Sequence, residues 1–163
     1  MAALDRRQFP EGAPPPRVTP RAEGSGLPPV DENGERPQVN VLYTTHAGTL
    51  AALKMASRLG AELGICPTVL RLYAVPGTLP LEMPAVAMGF LEEQIHALAR
   101  ESPTEVTARI VLCREPRRSL REILRPHSLI VLGGTKRWWP TKEQWWARIL
   151  REEGHEVIFV GSE

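Results

Sequence analysis

The residues best suited to chemistry in this chain lie at two strand-to-loop junctions. One is Gly133-Gly134-Thr135-Lys136, where the apolar run Leu129-Ile130-Val131-Leu132 stops at two glycines, a hydroxyl and a cation. Glycines let backbone N–H groups approach a ligand oxygen closely, so this turn, with Lys136 and Arg137 adding charge, has the makings of a small anion-binding nest. The same residues equally make a plain strand-to-loop turn with solvated cations. The segment is not a P-loop, because the spacing GxxxxGK[ST] is absent. The other junction is Thr44-Thr45-His46-Ala47-Gly48-Thr49, which brings hydroxyls and a histidine to the end of a strand pattern.

Other reactive side chains are scattered. His96 sits on a helical pattern between Ile95 and Ala97, and His127 and His155 precede strand patterns, so the histidines share no metal-ligand spacing. Cys66 and Cys113 stand apart without a CxxC, which fits small buried thiols in a reducing, cytoplasmic setting better than a disulfide. No Ser-His-Asp or Cys-His arrangement and no pair of loop carboxylates is legible, so the chain is expected not to be an enzyme. All four tryptophans fall at Trp138, Trp139, Trp145 and Trp146. Trp146 matches an apolar helical stripe. Trp138 and Trp139 lie in a loop, where large aromatics fill a cleft, contact a protein partner or stack on a base. Arg117, Arg118, Arg121 and Arg125 form a basic cluster that a solvated face explains.

The elements that must position these residues alternate along the chain. Residues 1–37 carry eight of the 16 prolines and only one aromatic, Phe9, so a disordered, proline-rich N-terminal tail is expected there. From Gln38 the pattern is orderly. Val39 to Thr45 reads as a strand, and Thr49 to Leu63 as a helix with Ala52, Met55, Ala56, Leu59 and Leu63 on one face, closed by Gly64. Thr68 to Val75 is a second strand and Pro84 to Glu101 a second helix, with Ala87, Leu91, Ile95 and Leu98 apolar. Glu105 to Arg114 is a half-polar strand suited to an edge. Ser119-Leu120-Arg121-Glu122 has the form of a capping box opening a short helix that Pro126 stops. The strand Leu129 to Leu132 follows. Thr141-Lys142-Glu143-Gln144, a second capping box, opens a helix closed by Gly154, and Val157 to Val160 is the last strand. Strands alternating with helices predict an α/β fold, a three-layer sandwich with a parallel sheet and helices on both faces. Ligands in such sheets bind outside the carboxyl ends of the strands.

Composition narrows the function classes. The chain has 163 residues, 42% hydrophobic and 24% charged, with a net charge of +1. No field of one sign argues for nucleic acid, no apolar run approaches the roughly 18 residues that cross a bilayer, and no signal-peptide core opens the chain.

Residues 38–163 resemble the universal stress protein family. The likeness rests on the five strands and four helices, on Val41-Leu42-Tyr43-Thr44-Thr45 before an alanine-rich helix, and on Ser128-Leu129-Ile130-Val131-Leu132-Gly133-Gly134. The resemblance implies a five-stranded sheet of order 3-2-1-4-5, with a cleft between the first and fourth strands walled by Thr44 to Thr49 and Gly133 to Pro140. It implies ATP or AMP as the ligand, with adenine between the ends of the first and second strands, near Val75, and phosphates near Gly133, Gly134, Thr135 and Lys136. ATP-binding members carry an aspartate where Thr45 or His46 stands here. Lys136 replaces their second glycine, and their distal glycine-hydroxyl pair falls in Gln144-Trp145-Trp146-Ala147. Degenerate nucleotide binding follows. The segment Gly134-Thr135-Lys136-Arg137-Trp138-Trp139 is also similar in style to the stress-protein-like module of potassium-sensor histidine kinases. His46-Ala47-Gly48-Thr49 resembles the HxGH motif of nucleotidyltransferases, which implies a remote alternative of nucleotidyl transfer using His46.

The expectation is a cytoplasmic stress-response module of regulatory or protein-interaction type. The family resemblance implies a homodimer formed through the last strand, Val157, Ile158, Phe159 and Val160. A protein partner at Trp138 and Trp139 is a further expectation.

Overall fold

Each strand of the protein is followed by a turn and a helix that returns the chain to the next strand. A computed structural model describes residues 37–135 and 140–162, so the expectations for the tail before Pro37 and for Lys136, Trp138 and Trp139 lie outside the described residues. In chain order the elements are β1 (Val39–Leu42), α1 (His46–Leu63), β2 (Thr68–Ala74), α2 (Met88–Glu101), β3 (Thr107–Cys113), α3 (Pro116–Ile123), β4 (Leu129–Thr135), α4 (Lys142–Glu152) and β5 (Glu156–Ser162). All four pairings are parallel, in the order β3-β2-β1-β4-β5. The sheet order that the family resemblance implied is thus present, and the half-polar third strand is at an edge.

Alternation along the strands builds two cores. Val39, Val41, Val69 and Val131 face α1 and α2, where Ala52, Leu53, Ala56, Ile95 and Leu98 cover them. Leu42, Leu70, Ile130 and Leu132 face the other way, against Leu120 of α3 and Trp146, Ala147 and Leu150 of α4. Every residue of β1 is buried, as expected for a strand with neighbours on both edges and helices on both faces.

Several boundaries differ from the sequence expectation. β1 stops at Leu42, because Thr45 serves as the N-cap of α1, its hydroxyl accepting from the Gly48 amide at 3.1 Å. α2 starts at Met88, not Pro84. The residues before it belong to a loop whose start is pinned by the Arg114 guanidinium, which donates to the carbonyls of Val75, Pro76 and Leu79. Ser119 is no cap: Pro116, with φ preset for a first helical position, starts α3 earlier. The Ser119 hydroxyl bonds the Cys113 thiol instead, and Glu122 pairs with Arg118 one turn away. The capping box of α4 is fully formed between Thr141 and Gln144. Gly64 ends α1 in the left-handed region at φ 66°, which a Cβ would strain.

Candidate functional site

Beyond Leu42, the chain leaves the sheet while β4 continues beside it. A gap between β1 and β4 would open there, and it is filled. The Thr44 amide donates to the Thr49 hydroxyl at 3.0 Å, and that hydroxyl donates to the Thr45 carbonyl at 2.6 Å. The Thr44 hydroxyl donates to the Gly133 carbonyl at 2.6 Å, tying the first turn of α1 to β4 across the gap. The two backbones touch: a Cβ placed on Gly133 would lie 1.7 Å from the Gly48 oxygen, and one on Gly48 would lie 2.7 Å from the Gly133 oxygen.

This geometry corrects the expectation of a glycine turn. β4 runs on through Gly133, Gly134 and Thr135, in register with Val160, Gly161 and Ser162 of β5. Successive N–H groups of a strand point to opposite sides, whereas a nest needs them to converge. Among the described residues the only glycines with positive φ are Gly64 and Gly154. Gly133 is a glycine because α1 presses on it. Gly134 is one because a Cβ there would meet the Glu143 side chain at 3.0 Å and the Phe159 ring at 3.3 Å.

An open pocket of about 160 Å³ lies next to the closed gap, at the ends of β1 and β2 and against the first turns of α3 and α4. Leu42, Leu72, Ala74, Pro116 and Trp146 form its apolar wall. Tyr43, Thr44, Arg71, Lys142 and Glu143 complete its lining. Arg71 is half-buried, its guanidinium carbon 4.1 Å above the centre of the Tyr43 ring and its Nη2 3.4 Å from the Gln94 amide oxygen. Its Nε is buried without an acceptor. Burial draws the Arg71 pKa down from the ordinary arginine value, with Tyr43 and Tyr73 opposing.

Of the residues singled out in the sequence, Thr44 lines this pocket. Thr45 caps α1. His46 is on the surface, its Nε2 3.0 Å from Glu101 of α2. Val75 is buried in a satellite cluster with Leu91 and Leu112, its amide donating to the Cys113 carbonyl. Thr135 ends β4, exposed. Arg71 was missed. Its one available signal was a lone cation in the otherwise apolar strand Thr-Val-Leu-Arg-Leu-Tyr-Ala. The basic cluster is also more than a solvated face: Arg117 and Arg121 both bond Glu153 Oε1, at 2.7 and 2.8 Å, tying α3 to the end of α4. Burial would raise the Glu153 pKa, and the two guanidiniums overcome it, holding the carboxyl below the usual range. Among the described residues no group of His, Cys, Asp or Glu side chains could hold a metal ion, and no helix is long and apolar enough to cross a membrane. Both cysteines are free.

No family model and no curated protein matches the chain. Solved structures do. A universal stress protein from Archaeoglobus fulgidus superposes with a TM-score of 0.51 at 14% identity, covering 76% of this chain and 98% of that one. A universal stress protein in complex with cAMP gives 0.46 at 16% identity, over 79% and 100% of the two chains. The Archaeoglobus fulgidus protein in complex with dAMP gives 0.47 at 13% identity, over 76% and 97%. At such identity the first likeness speaks to architecture, and it agrees with the sheet order: the chain is similar in fold to the universal stress proteins.

Proposed function

We propose that the protein is a universal-stress-protein-like regulatory module that works by contact with another protein chain and not by catalysis, its family cleft having lost the seat for a nucleotide's phosphates. The closed gap carries this. Thr44, Gly48 and Gly133 fill the space between β1 and β4 with backbone and one buried hydrogen bond. The glycines that would otherwise cradle phosphate are spent on packing.

Contact surface remains available. β5 borders β4 alone and is an outer strand of the sheet, with Val157, Ile158, Phe159 and Val160 half-buried along it. An outer strand with unpaired backbone groups is a template for a second copy of the chain. Trp145 is half-exposed on α4 (51%), a large aromatic left at the surface. Sedimentation velocity on the full chain tests the assembly: a dimer at micromolar concentration that Val160→Lys converts to monomer is expected, and a monomer throughout the range sinks the β5 contact.

A second reading keeps ATP or AMP, favoured by the open pocket at the ends of β1 and β2, which suits an adenine ring. Under it, Lys136→Ala weakens nucleotide binding. Under the first reading that substitution changes nothing.

A further inference from the structure

We propose that the turns leading into β4 and β5 form a reciprocal histidine clasp that opens on mild acidification and frees the start of β5, an outer strand of the sheet. This goes beyond the contact role above and does not depend on it.

Each turn lends its histidine ring to the backbone of the other. In the turn before β4, His127 Nδ1 donates to the Gly154 carbonyl at 3.1 Å. In the turn before β5, His155 Nδ1 accepts the Ser128 amide at 3.3 Å. The Glu156 amide completes the junction, donating to the Ser128 carbonyl at 3.1 Å where the pairing of Leu129 with Glu156 begins the β4–β5 register. The clasp also holds strained backbone. His127 has φ 58°, in the left-handed region, and among the described residues no other residue with a Cβ has a positive φ. Such a residue stays there where its surroundings fix it.

The two bonds make opposite demands on protonation. A donating Nδ1 carries a hydrogen, so the His127 bond survives when that ring becomes a cation. An accepting Nδ1 must be bare, so a proton taken up by His155 meets the Ser128 N–H and ends that bond. The surroundings set when this happens. His155 is half-buried, and burial together with His127 resists its protonation, while Glu153 of α4 favours it. Arg117 and Arg121 of α3 share the Glu153 Oε1. The Glu153 Oε2 is buried with no donor, an acceptor for the imidazolium once the ring turns from Ser128. Arg151 of α4 is engaged with the Val157 carbonyl, the Arg125 carbonyl accepts the Ser128 hydroxyl, and Glu156 is exposed at the head of β5. The clasp is therefore closed above the ordinary histidine pKa of 6.5 and opens as pH falls towards the lower folded value of His155.

Hydrogen exchange of the Ser128 and Glu156 amides in the full chain, followed in ¹H–¹⁵N spectra from about pH 7.5 to about pH 5.5, tests the clasp. Their protection factors should fall roughly tenfold over that range, as linkage to one proton requires. At every pH both amides should be less protected than that of Val131 in the middle of β4, the mark of a local opening. His155→Asn places an uncharged amide oxygen where Nδ1 accepts, and should keep Ser128 protection level across the range. His127→Asn tolerates the positive φ but removes the neighbouring charge, and should move the midpoint to higher pH. If a variant fails to fold, the ring ¹⁵N signals of the wild type decide. His155 Nδ1 should be bare at neutral pH and gain its proton at the midpoint of the exchange change. Protection that ignores pH, that equals that of Val131, or that still falls in His155→Asn overturns the proposal. So does a midpoint unmoved in His127→Asn, or a His155 Nδ1 that carries hydrogen at neutral pH.

Discussion

Replacing Gly133 by alanine separates packing from phosphate binding. The new Cβ would sit 1.7 Å from the Gly48 oxygen, 2.4 Å from its carbonyl carbon and 3.0 Å from its Cα, where ordinary contact begins near 3.4 Å, so the two segments must part by about 1.7 Å. Neither yields easily. β4 is held between β1 and β5, and the first turn of α1 is held by the Thr45 cap and the Thr44–Thr49 bonds. Overpacking against such neighbours costs about 1–3 kcal/mol, and the parting also stretches the 2.6 Å bond from Thr44 to Gly133, worth about 1 kcal/mol. A loss of about 2–4 kcal/mol is a large share of the stability of a domain this size, and lowers the melting temperature by roughly 5–20 °C. Urea and thermal unfolding followed by circular dichroism measure it. Gly134→Ala is the matched control: its Cβ would lie 3.0 Å from Cβ and Cγ of Glu143 and 3.3 Å from Cζ of Phe159, contacts relieved by a shift of a few tenths of an ångström, so it should cost about 1 kcal/mol. Gly77→Ala enters open space and should be neutral within about 0.5 kcal/mol. If Gly133→Ala costs no more than Gly134→Ala, the packing account of the glycine pair is wrong.

Further expectations come from the same geometry. Thr44→Val keeps the shape but leaves the buried Gly133 carbonyl without its donor, and should destabilise by about 1–3 kcal/mol in urea titrations. His155 Nδ1 accepts the Ser128 amide at 3.3 Å, which requires a neutral ring. Burial lowers its pKa below the ordinary 6.5, with Glu153 opposing and His127 adding to the fall. The unfolded chain therefore takes up the proton first, so stability is full above about pH 6.5 and declines as pH drops towards the folded value. Urea midpoints from about pH 7.5 to about pH 5 should show that decline, and His155→Gln should flatten it. Cys66 is exposed, whereas Cys113 is buried and its thiol pKa is pushed up by burial despite the Ser119 hydrogen bond. A thiol reagent should thus label one cysteine at once and the other only on unfolding.

Much of the fold was legible because its signals are local. The α1 and α4 faces, the Thr141 capping box and the closing Gly64 all depend on residues within a turn or two, and all are present. Misreadings came where a distant partner decides. Gly133 looks like a turn because glycine permits turns, yet it is required by Gly48, far away in sequence. Ser119 and Glu122 have the spacing of a cap, but Pro116 had already started the helix. The arginines of α3 looked solvated because Glu153 arrives more than thirty residues later. Arg71 shows the limit most plainly: a lone arginine in a strand says nothing until Tyr43 and Gln94 are placed around it.

The central claim, that packing has closed the family's phosphate seat, is tested most directly by calorimetric titration of the full chain with ATP, with and without magnesium. No micromolar binding in either buffer is the expected result. Micromolar affinity for ATP that adenosine lacks would contradict it, because the phosphates would then find a seat despite the contact of Gly48 with Gly133.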